Sequence, residues 1–240
     1  MRKVFFALIF CFSLVNIAKA QDELQRYKDE CLSFVEKPKV KVSSSYGKLR
    51  YNFEKDSDFL RKETEKKFIK NGLEYPSEFS PMGLTQIHDN FELKMNVGSI
   101  GVSHGKQCLY PENIEVFWGY YLPVIYIAKD LAKDTCLYDL TLRHEKVHVK
   151  IYIEALDYYL PKLKKVSDEL FDKIGVMIVD KDRNLEFVAK QYNDEYVKSV
   201  EKIVDEWRKE IELEQMELDS IKNYILESKI CAEIDDFGEK

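Results

Sequence analysis

The chain is expected to fold as an α+β protein, with a small antiparallel sheet packed on a helix that carries a His-Glu-x-x-His sequence and a long C-terminal helix or helical hairpin. Three observations predict this. Between Leu84 and Ala128 short runs rich in Val, Ile, Tyr and Phe are separated by turn residues. After Asp134-Thr135 the apolar spacing switches to three and four. From Leu185 to Ala232 there is neither Pro nor Gly, and Leu185, Val188, Tyr192, Tyr196, Val200, Ile203, Trp207 and Ile211 recur at near-helical spacing.

The elements follow in order. Residues 1–20 have the layout of a cleaved secretory signal: Arg2 and Lys3, then an apolar run from Val4 to Ile17, then Ala18-Lys19-Ala20. That run is short for a membrane span, and no stable span is expected once it is removed. Asp22 to Glu36 reads as a helix ended by Pro38, and Val40 to Phe53 as strand with a turn near Ser43–Gly47. Ser57 to Lys70 is a second helix. Leu84–Ile87, Phe91–Val97, Ile114–Tyr120 and Pro123–Ala128 are strands, with a glycine-punctuated loop over Ser99–Gly105. A helix runs from Cys136 to Leu160 and is expected to break at Pro161. A shorter one spans Lys162 to Lys173, ended by Gly175, and Val176–Val179 is a short strand or core loop. The C-terminal segment is one long helix, or two with a break near Asp219-Ser220. The domain reading is therefore a signal at 1–20, an α+β domain at 21–182 and a helical extension packed on it at 183–240.

Charge and cysteine content narrow the function classes. Removing Arg2, Lys3 and Lys19 with the signal takes the net charge from −6 to −9, and no basic stripe stands out, which argues against a nucleic-acid partner. Export, periplasmic or extracellular, places Cys31, Cys108, Cys136 and Cys231 in an oxidising compartment, where an even number suggests two disulfides. Three pairings exist. Cys108 with Cys136, which bracket one compact segment, and Cys31 with Cys231 is the favoured one.

The chemistry lies in His144-Glu145-Lys146-Val147-His148. A helix turns about 100° per residue, so His144 and His148 project side by side, where two imidazoles can ligate one Zn2+. Glu145 stands at the edge of the same face. There it can take a proton from a water activated by the metal and return it to a leaving group, the reason this spacing recurs in metallopeptidases. The competing reading is a surface His pair on a charged helix.

The motif resembles that of the zincin metallopeptidases, of gluzincin type. The stretch from about Gly83 to Lys165 is also similar to small secreted bacterial zinc proteases, through Gly83-Leu84-Thr85, Cys108, Val124-Ile125-Tyr126-Ile127-Ala128, Cys136 and the His-Glu-x-x-His sequence itself. The resemblance implies that Tyr126-Ile127-Ala128 lies at the edge of the cleft and holds a peptide in extended form.

A catalytic zinc needs a third protein ligand. Ile151 and Glu154 stand where a metzincin would have Gly and His, and Glu154 lies about 240° round the helix from His148. The gluzincin alternative takes an acid from the next helix, beyond Pro161: Glu169 first, then Asp168 or Asp172. His104, in a Ser-His-Gly-Lys segment, is a further candidate. Tyr152, one turn past His148, either packs or touches substrate. The function expected is a secreted or periplasmic zinc-dependent hydrolase acting on a peptide or protein substrate. The alternative is a non-enzymatic envelope protein whose C-terminal helix binds a partner protein.

Overall fold

In a computed structural model the described residues are 19–70, 72, 74–75 and 80–238. Most of the expected signal, residues 1–18, lies outside them. The elements are α1 (residues 19–34), β1 (Lys39–Ser43), β2 (Arg50–Asn52), α2 (Ser57–Lys70), β3 (Gly83–Val102), a single 3-10 turn (Ser103–Gly105), β4 (Lys106–Ile127), α3 (Cys136–Ile174), β5 (Met177–Asp180), α4 (Leu185–Leu218) and α5 (Ile221–Gly238). This is the α+β class, with one open five-stranded sheet and a long C-terminal helix. Among the described residues no helix is long and apolar enough to cross a membrane.

The sheet is built on β4, which pairs with each of the other four strands. The four short strands expected between Leu84 and Ala128 merge into two long ones, β3 and β4. Residues such as Gly98, Gly101 and Pro111 sit within these strands without ending them. β5 runs antiparallel to β4, with Lys106 opposite Asp180. β2 runs parallel to it, with Arg50 opposite Val124, so the sheet is not wholly antiparallel.

The chain divides into two compact units, and both long strands, α3 and α4 contribute a segment to each. Of the described residues, the first unit holds 19–41, 93–116 and 164–202. Its core gathers Cys31 of α1, Cys108 of β4 and Val176, with Val35, Ile100 and Ile178 packed against them. Tyr196 of α4 donates its hydroxyl to the carbonyl of Ser167 at 2.6 Å.

The second unit holds residues 42–92, 117–163 and 203–240. Leu60 of α2, Leu84 of β3, Ile125 and Ile127 of β4, and Leu142 and Val149 of α3 pack together there. Asp56 caps α2 by accepting the amide of Phe59 at 3.0 Å. Burial of Leu60 then fixes that helix against the sheet.

Two further expectations are corrected. Pro161 does not break the helix: α3 is continuous from Cys136 to Ile174. A proline inside a helix removes one hydrogen bond and costs about 3 kcal/mol. The buried stripe Leu156, Tyr159, Leu163, Ser167 and Phe171 runs past it without losing register, so packing outweighs that local cost. Gly175, at φ 67°, then ends the helix.

The cysteines do form two disulfides, but with the other pairing: Cys31 with Cys108 and Cys136 with Cys231. Cys108 belongs to the first unit and Cys136 to the second, so their closeness in sequence does not bring them together. Loop-closure entropy grows only with the logarithm of length, so bridges across 77 and 95 residues are little disfavoured against a short one.

Candidate metal centre

The His-Glu-x-x-His segment lies in the first third of α3, inside the second unit, and its three chemical residues are buried: His144, Glu145 and His148. Ligand atoms of the three lie within 4.8 Å of one another and could hold a metal ion. The two imidazoles face each other as one helical turn requires, Nε2 to Nε2 at 3.2 Å.

A third donor closes the triangle. Asp219, at the junction of α4 and α5, places Oδ1 3.2 Å from Nε2 of His144 and 2.9 Å from Nε2 of His148. Helix α4 delivers it: Tyr192, Tyr196, Val200, Val204, Ile211 and Gln215 form a buried stripe that holds the helix down to its last turn. Ser220 then caps α5 through the amide of Asn223 at 3.3 Å, and Asn223 Nδ2 bonds the carbonyl of Leu218 at 2.9 Å. The chain turn between the helices is thereby pinned with Asp219 at its apex.

The outer nitrogens are also held. Nδ1 of His144 lies 3.0 Å from Oε2 of Glu227 on α5, and Nδ1 of His148 meets Oε1 of Gln215, whose Nε2 donates to the His148 carbonyl at 3.2 Å. Both Nδ1 partners are acceptors, which assigns the ring protons to Nδ1 and leaves each Nε2 a bare lone pair. Three lone-pair atoms then converge, and such a cluster calls for positive charge at its centre. The surrounding charges act in the same direction. Burial works to lower the His144 pKa, but Asp219, Glu145 and Glu227 outweigh it and the net shift is upward. Burial works to raise Asp219, yet its bonds with His144 and His148 hold it well below the usual carboxylate range.

Glu145 is positioned from the sheet. Thr85 donates its hydroxyl to Oε2 at 2.7 Å and to the Glu145 carbonyl at 3.0 Å. Two residues earlier, Gly83 makes room: a Cβ there would stand 2.4 Å from Oε1 of Glu145. Burial pushes the Glu145 carboxyl up, while His148, the Thr85 hydroxyl and His144 pull it back. Tyr224 of α5 completes the surroundings, its hydroxyl 3.1 Å from Asp219 Oδ1 and 3.3 Å from His144 Nε2. Burial first, and then the Asp219 charge, push its pKa up, so it stays protonated at neutral pH. Glu145, His148, Asp219 and Tyr224 border a cavity of 20 Å³, about the space one water needs.

Of the residues marked in the sequence, His144, Glu145 and His148 come together and the expected third ligands do not. Glu169 pairs with Lys165 at 3.5 Å and is exposed, Asp168 with Lys164 at 3.4 Å, and Asp172 with Lys37 at 2.9 Å. His104 packs edge-on against Tyr27. All four belong to the first unit, the three acids because α3 continues where a break was expected. Tyr126 pairs with Asn52 of β2, and Ile127 and Ala128 are buried in the core. Asp219, Gln215, Tyr224 and Glu227 were not anticipated as site residues. The signals were the helix break at Asp219-Ser220 and a glutamine at a core position of the α4 stripe.

No protein-family model, no curated protein and no solved structure matches the chain.

Proposed function

We propose that the chain is a zinc-dependent peptidase, with His144, His148 and Asp219 as ligands and Glu145 as general base. The observation that carries this reading is the triangle of His144 Nε2, His148 Nε2 and Asp219 Oδ1, with sides of 2.9, 3.2 and 3.2 Å. Donors on a tetrahedral zinc stand about 3.3 Å apart, given bond lengths near 2.0–2.1 Å. The donor set, two imidazoles and one carboxylate, suits zinc and leaves a coordination position open. Bound there, zinc supplies a Lewis acid for a carbonyl oxygen and lowers the pKa of a water.

The protein's own groups do the rest. Glu145 accepts a proton from the attacking water and passes it to the leaving amine, its carboxylate aimed by Thr85. Tyr224 keeps its proton and offers a donor to charge developing on the carbonyl oxygen. Glu227 and Gln215 fix the imidazole tautomers. β3, which pairs with β4 alone among the described residues, is the strand edge nearest Glu145, and it takes the peptide-holding role expected of Tyr126–Ala128. Its residues Leu84 to Asp89 line a cavity consecutively; a cavity on one sheet face would meet only alternate residues, so this one follows the edge. The two disulfides suit an exported protein, periplasmic or extracellular.

The test is to purify the protein, measure bound zinc and assay broad peptide libraries, with Glu145→Gln as control. Stoichiometric zinc with turnover that disappears in the variant supports the reading. Zinc without turnover rejects the peptidase, and no zinc rejects the metal centre.

A further inference from the structure

Beside the metal-binding cluster, and within the same unit, lies a cavity of 630 Å³. Lys67, Leu84 and Thr85 line both it and the small cavity at Glu145, so the two spaces are neighbours.

The charge of this space runs against that of the chain. Among the described residues Lys66, Lys67, Lys70, Arg208 and Lys209 face three acids, Glu63, Asp89 and Glu212, a surplus of two positive charges in a protein with a net charge of −6. Glu63 is paired with Lys66 at 2.6 Å and Asp89 with Arg208 at 2.6 Å, while Glu212 stands 3.8 Å from Lys67. Among the described residues Lys70 and Lys209 have no acidic partner within 4 Å. Ile87, Trp118 and Ile211 supply apolar wall, against which charge is screened less than in open water.

A second, independent feature lies in the same wall. Tyr120 is 3% exposed, and its hydroxyl has no hydrogen-bond partner among the described residues. Burying a hydroxyl unpaired is costly, and a ligand oxygen in the cavity removes that cost.

We propose that this cavity selects peptides bearing a carboxylate beside the scissile bond, held by Lys67, Lys70 and Lys209 with the Tyr120 hydroxyl as an added donor. Turnover of such peptides rests on the hydrolase reading of the neighbouring site; their binding does not. The carboxylate comes either from an Asp or Glu side chain or from a free C-terminus, and the two sources are separable.

Binding is measured by fluorescence anisotropy on protein carrying Glu145→Gln, so that nothing is consumed. Three labelled peptides are compared: one with Glu and an amidated C-terminus, its Gln counterpart also amidated, and that counterpart with a free C-terminus. At low salt the first or the third binds about tenfold tighter than the second, the sum of several individually weak charge contacts. Which of the two does so identifies the source. The preference collapses when Lys67→Gln, Lys70→Gln and Lys209→Gln are combined, with the melting temperature unchanged, and Tyr120→Phe reduces it. Should the triple variant fold poorly, a salt titration of the parent reads the same contacts, which fade by about 0.5 M salt. Equal binding of all three peptides overturns the proposal. Parallel turnover with the unmodified protein separates the two readings: cleavage without charge preference overturns this inference alone, and preferential binding without cleavage overturns the hydrolase alone.

Discussion

Oδ1 of Asp219 stands 2.9 Å from Nε2 of His148, although 71 residues separate the two in sequence. The contact exists because α4 ends where it does. One more helical turn before the break would carry the carboxylate about 5 Å along the axis and out of reach of both imidazoles.

Asp219→Asn is therefore expected to lower zinc affinity by on the order of a hundredfold or more, above the 10–100-fold that loss of an outer partner costs. The conservative amide keeps size and removes the charge that faces His144 and His148. Competition with a chelating dye measures it. Glu169→Gln, which disturbs only an exposed pair with Lys165, leaves the affinity unchanged. Equal affinity in Asp219→Asn and the parent would remove Asp219 from the ligand set.

Much of this was legible in the sequence, and the part that was not has a physical cause. His144 and His148 are found from spacing alone because helical geometry fixes neighbours four apart. Glu145 follows from the same helix. Asp219 could not be ranked this way, since its approach to His148 depends on how α4 packs across the fold, and no local period encodes that. Pro161 misled for a related reason: proline's local cost predicts a break, while the apolar stripe on either side of it decides otherwise. The cysteine pairing was undetermined because spacing hardly discriminates among long loops. The break at Asp219-Ser220 was visible, but not its use.

Gly83→Ala tests the support of the general base. The new Cβ would lie 2.4 Å from Oε1 and 2.8 Å from Cδ of Glu145, closer than any real contact, so the carboxylate must shift. A displacement of about 1 Å at a catalytic group costs on the order of a hundredfold in rate. The expectation is kcat reduced by about that factor with zinc content intact, since the substitution touches neither imidazole. Unchanged kcat would show that the position of Glu145 does not limit the reaction.

Glu227→Gln addresses the tautomer of His144. The Glu227 carboxylate accepts from Nδ1 at 3.0 Å and raises the basicity of the ring toward a metal at Nε2. An amide in its place keeps a hydrogen bond but loses the charge. Zinc affinity is expected to fall about tenfold, toward the lower end of the range for such partners. The apparent dissociation constant from chelator competition reads this directly, and a change under twofold would make the contact incidental.

The disulfide between Cys136 and Cys231 ties the start of α3 to α5, and α5 carries Tyr224 and Glu227 to His144. Replacing both cysteines by Ser removes a constraint across 95 residues, worth up to about 4–5 kcal/mol by chain entropy. The local consequence is more telling than the global one. Cys231 is one helical turn past Glu227, so releasing it loosens the residues that orient His144. Zinc affinity should drop about tenfold together with the melting temperature. Replacing Cys31 and Cys108 gives the control: that bridge lies in the first unit, so its loss is expected to lower the melting temperature and leave zinc affinity as it was. If the two double variants lose zinc to the same extent, α5 is held at the metal centre by packing rather than by its covalent tether.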